Sequence, residues 1–99
     1  MNSPGDIEKR NTEIEELVGD GEHRQSFRRL IDFANDFSPG TKLRDEAIVI
    51  SGEFNCALVE YRQELISYED FNRLRRRLTF ALLDVKNQIV DATVKGSLS

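Results

Sequence analysis

Residues 67–94 read SYEDFNRLRRRLTFALLDVKNQIVDATV. Ser67 can cap a helix start, and Glu69 and Asp70 put acids in the first turn, where the helix dipole favours them. Phe71, Leu74, Leu78, Ala81, Val85 and Ile89 follow at spacings of three and four, which sets them on one helical stripe. Arg73, Arg76, Arg77 and Phe80 fall behind that stripe. A helix with an apolar side and a charged, aromatic-bearing back packs inward and offers its back to a partner. Leu83, Val90 and Val94 join Phe80 in a second apolar set, to be covered within the chain or by that partner.

The segment upstream repeats the pattern. Leu43, Ala47, Ile50, Phe54, Ala57 and Tyr61 lie on one stripe of a helix expected over Lys42–Leu65, with Thr41 as its cap. At 1.5 Å per residue it is roughly 35 Å long. The short connection at Ile66 and Ser67 makes the last helix return antiparallel. The run Ala47-Ile48-Val49-Ile50 has strand character, but the helical period continues to Tyr61 and no second such run exists to pair with it. Ile48, Gly52, Cys56 and Val59 gather opposite the main stripe, and the small Gly52 and Cys56 suggest close approach of another backbone there.

Before the hairpin, Ser38-Pro39-Gly40 marks a turn. A helix is expected over Glu22–Asp36, with Phe27, Leu30, Ile31 and Ala34 on one face and Asp20 as its cap. A short acidic helix starting at Ile7 or Thr12 and ending at Val18 precedes it, stopped by Gly19-Asp20-Gly21. The expected architecture is all-α: a small bundle of about four helices built on a long antiparallel hairpin. It spans 12–94, between a flexible lead, 1–11, and a flexible tail, 95–99.

Ninety-nine residues suffice for one small domain. Charged residues make up 32% and apolar residues 38%, yet the apolar ones are periodic, which argues against general disorder. The single cysteine, Cys56, excludes an internal disulfide framework and fits a reducing cytosol. No apolar run reaches membrane-spanning length, and the first residues lack the apolar centre of a signal peptide. A cytoplasmic domain is the expectation.

Catalytic chemistry has no anchor in the chain. His23 is the only histidine; beside Arg24 at a helix start it reads as a solvated residue. Cys56 reads as a packed small residue within a helix. There is no phosphate-binding glycine loop, no metal-ligand spacing and no nucleophile elbow. The chain is therefore expected not to be an enzyme, with no catalytic residue, no cofactor and no metal.

Charge is divided unevenly. Residues 1–20 hold Asp6, Glu8, Glu13, Glu15, Glu16 and Asp20 against Lys9 and Arg10, a net of −4. Residues 70–80 hold Arg73, Arg75, Arg76 and Arg77 against Asp70, a net of +3. Such faces can mate between copies or related domains. The expected partner-binding residues are Arg73, Arg76, Arg77 and Phe80 on one side and Glu13, Glu15 and Glu16 on the other. Two rivals stand beside this reading. One is a helical nucleic-acid-binding domain using the Arg73–Arg77 cluster, against which the overall charge of −4 counts. The other is a purely structural oligomerisation hairpin.

Three stretches carry a resemblance: Ile50-Ser51-Gly52-Glu53-Phe54-Asn55, Leu65-Ile66-Ser67-Tyr68-Glu69-Asp70, and Arg77-Leu78-Thr79-Phe80-Ala81-Leu82-Leu83-Asp84. Together they resemble the bacterial effector-associated domains, most closely the eleventh type, over about residues 12–90. In that family a small-residue-containing helix leads through a joint of leucine, glycine, any residue, isoleucine and serine into a helix ending in alanine-leucine-leucine. This chain departs at the joint, where Glu64-Leu65-Ile66-Ser67 lacks the usual glycine. The resemblance implies a death-fold-like adaptor, without catalytic residues, coupling a sensor or effector to its partner in bacterial immunity by like-with-like association.

Overall fold

Four helices follow one another in the computed structural model, which describes residues 4–98: α1 (Pro4–Gly19), α2 (His23–Phe37), α3 (Lys42–Arg62) and α4 (Tyr68–Leu98). No strand occurs among the described residues. Arg10 pairs with Asp36 and Glu13 with Arg29, so α1 and α2 run antiparallel. Arg44 bonds Asn35 while Phe54 stacks on Phe27, which reverses the chain again at α3. Tyr61 faces Tyr68 across the last joint, and α4 returns along α3. The result is an up-down-up-down bundle in which α4 also contacts α1 and α2.

Local chemistry sets most of the ends. The Thr41 hydroxyl accepts from the Arg44 N–H at 3.4 Å, and the Ser67 hydroxyl accepts from the Asp70 N–H at 3.1 Å. Helix α1 closes on paired reverse bonds, Glu22 N–H to the Leu17 carbonyl and Gly21 N–H to the Val18 carbonyl. Gly21 supplies the left-handed residue this closure needs, at φ 78°. Asp20 therefore belongs to the end of α1 and does not cap α2, whose cap position is Glu22, without a side-chain bond.

The end of α3 uses the same device with a different residue. Leu65 N–H bonds the Glu60 carbonyl, Glu64 N–H bonds the Tyr61 carbonyl, and Glu64 takes the left-handed position at φ 61°. The glycine absent from the joint is absent where its conformation is used. That closure ends α3 at Arg62, short of the expected Leu65.

The core follows the stripes. Ala47, Phe54 and Ala57 from α3 and Phe71, Leu78, Val85 and Ile89 from α4 are buried with Phe27, Leu30, Phe33 and Ala34 of α2. An aromatic ladder runs through it: Phe27 stacks on Phe54 at 4.8 Å, Phe54 lies 6.4 Å from Phe71, and Phe71 stacks on Tyr61 at 4.7 Å.

Three further expectations are corrected. The lead 1–11 is helical from Pro4, and Ile7 is buried with Ile14. Two turns separate these isoleucines, so they share a face of α1; Met1–Ser3 lie outside the described residues. The tail 95–99 is helical through Leu98, where α4 carries on through Gly96, a residue a helix tolerates at a cost of about 1 kcal/mol relative to alanine; Ser99 lies outside the described residues. Gly52 is exposed, and a Cβ there would meet nothing within 4 Å. No backbone of the described residues approaches it, because α3 buries its other side against α2 and α4.

Candidate protein-interaction site

The outer face of α4 collects the residues expected to bind. Taking Phe80 as reference at 100° per residue, Arg76, Arg73 and Arg77 lie within about 60° of it. The buried Phe71, Leu78, Leu82 and Ile89 lie on the opposite side. Phe80 is 67% exposed. Arg73, Arg76 and Arg77 are exposed and form no ion pair among the described residues. Arg75 differs: it bonds Asn72 and faces His23.

The acidic half of the expected site is not assembled. Glu13 is bound by Arg29, whose guanidinium holds its carboxyl below the usual range and is itself pushed up in return. Glu15 accepts from Asn11 at 2.8 Å and lies 3.5 Å from Lys86. Only Glu16 of the three forms no side-chain bond among the described residues. The physical reason is that α1 is held to the bundle by charge. Lys86, with a side chain 4% exposed, donates to Asn11 at 2.7 Å and to Asn87 at 2.9 Å. A buried ammonium needs such partners, and the acids of α1 serve it and Arg29.

Two grooves flank the hairpin, and neither was anticipated. Between α3 and α4 a groove of about 390 Å³ has an apolar floor, Val49, Ile50, Ala81 and Val85, rimmed by Lys42, Asp45, Glu46 and Asp84. Between α2 and α3 a groove of about 560 Å³ is lined by Arg24, Arg28 and Arg62 over Ile31, Leu58 and Val59, with no carboxylate in the lining. The signal for the second was split between two helices, so no local charge run betrayed it.

His23 is not the solvated residue expected. Its ring lies 6.3 Å from that of Phe54, its Nδ1 is buried without a hydrogen-bond partner, and burial together with Arg75 lowers its pKa. Cys56 is exposed, not packed. No cluster of His, Cys, Asp and Glu fit to hold a metal ion occurs among the described residues. No helix among them is long and apolar enough to cross a membrane.

The class this defines is a small four-helix bundle with charged, partly apolar outer faces. The chain matches the family model of effector-associated domain 11 over residues 9–90, and it belongs to that family. It has no significant match among curated proteins or solved structures. Membership suggests a regulatory or adaptor role in effector systems.

Proposed function

We propose that the domain is a non-catalytic adaptor that associates with a domain of its own kind in a bacterial immunity system, using the outer face of α4. One observation carries the reading: Phe80 stands 67% exposed among arginines that form no ion pair among the described residues. An exposed aromatic ringed by charge is the composition of a binding anchor with its rim. Reversing Arg73 and Arg77 to glutamate removes association while helix content and melting temperature stay nearly unchanged. Association that persists in that double variant contradicts the reading.

The groove lined by Arg24, Arg28 and Arg62 favours a second reading, in which the basic surfaces hold a polyanion such as nucleic acid. Oligonucleotide binding that weakens steeply with salt, and is lost in the α4 double reversal, supports that alternative.

A further inference from the structure

Phe80 stands beside the apolar-floored groove of about 390 Å³. On α4, Arg77 and Asp84 lie about 60° and 40° around from Phe80 and Ala81 about 100°, all toward the side where α3 packs. The groove with Ala81 and Val85 in its floor therefore opens on the flank next to Phe80. Its mouth carries Asp45, Glu46 and Asp84 against one cation, Lys42. Asp45 and Glu46 are exposed and form no side-chain bond among the described residues, and Asp84 accepts from Gln88 at 2.8 Å. A basic projection and a recess with an excess of carboxylates, neither engaged in an ion pair among the described residues, thus lie side by side on one surface.

We propose that this groove receives Phe80 of a second copy of the chain, in a closed two-fold dimer. Each copy supplies one ring and one groove, and the arginines around each ring meet the carboxylates around the opposing groove. A two-fold axis between adjacent projection and recess makes the surface self-complementary, which closes the assembly at two. The proposal rests on the homotypic reading above and gives it the acidic counterpart that α1 does not provide.

Sedimentation velocity across concentration tests it, in reducing buffer because Cys56 is exposed. Phe80→Ala removes the ring. Val49→Arg blocks the groove at a residue 57% exposed, which spares the core. Each variant alone dimerises at least about tenfold more weakly than the parent. An equimolar mixture of the two recovers a heterodimer of intermediate affinity, because one ring and one groove remain matched. Asp45→Arg with Glu46→Arg serves as a second groove variant should Val49→Arg fail to fold. If Phe80→Ala is monomeric while the groove variants dimerise like the parent, Phe80 sits elsewhere; the groove assignment falls and the homotypic reading stands. A mixture no tighter than its components overturns the exchange of ring and groove, and masses growing beyond the dimer overturn closure. A parent that stays monomeric, or a Phe80→Ala chain that dimerises normally, overturns both readings.

Discussion

Two backbone positions show how single residues set stability here. Glu64 holds the left-handed turn between α3 and α4 at φ 61°, a conformation unfavourable for a side chain with a Cβ and free for glycine. Glu64→Gly is expected to stabilise the domain by about 0.5–1 kcal/mol in denaturant melts, net of the added freedom of the unfolded chain. Gly52 is the reverse case, a glycine inside α3 with open space around it, so Gly52→Ala gains about 0.5–1 kcal/mol in the same assay. His23 sets a pH dependence. Burial and Arg75 lower its pKa in the folded state from 6.5, so the unfolded chain binds the proton more readily. Its contribution is intact above pH 6.5 and is lost as pH falls through the lowered value. Melting temperature followed downward from neutral pH declines through that window in the parent, and the decline is shallower in His23→Gln.

At the scale of elements, the hairpin core rests on α3 and α4 burying matched stripes. Phe54→Ala and Leu78→Ala each cost about 2–5 kcal/mol by equilibrium unfolding; values under about 1 kcal/mol for both would show that the core is built otherwise. Those stripes, and the caps at Thr41 and Ser67, were legible because each is written within a few consecutive residues. So was the outward face of α4, since Phe80 and its arginines share one helix. What escaped depended on partners far apart in the chain. Lys86 looks like a surface lysine until Asn11 and Glu15 arrive from α1 to satisfy it. Glu13 looks like a free acid until Arg29 of α2 reaches it. The groove of Arg24, Arg28 and Arg62, and the acid-rimmed groove beside Phe80, exist only once two helices lie together. The start of α1 was half legible: Ile7, buried in the bundle, was one of the two starts the pattern allowed beside Thr12, because it sits in a polar stretch with little local periodicity.

The whole molecule measures 49 × 26 × 18 Å, and α4 accounts for its long axis: 31 residues at 1.5 Å extend roughly 46 Å. A bundle this slender covers one side of its longest helix and leaves the other side uncovered along its length. Selection for a stable monomer alone would give that side a solvated mixture of charges. On that side Arg73, Arg76 and Arg77 precede a largely exposed phenylalanine and Asp84 follows it, so an apolar anchor stands within the charges. The account stands on that face being used by another copy of the domain. The most direct test is the mass of the 11.4 kDa chain as a function of concentration, with Phe80→Ala measured beside it. The account predicts that the parent moves from monomer toward dimer as concentration rises while Phe80→Ala remains a folded monomer over the same range. A parent that stays monomeric throughout, or two chains that associate alike, would contradict it.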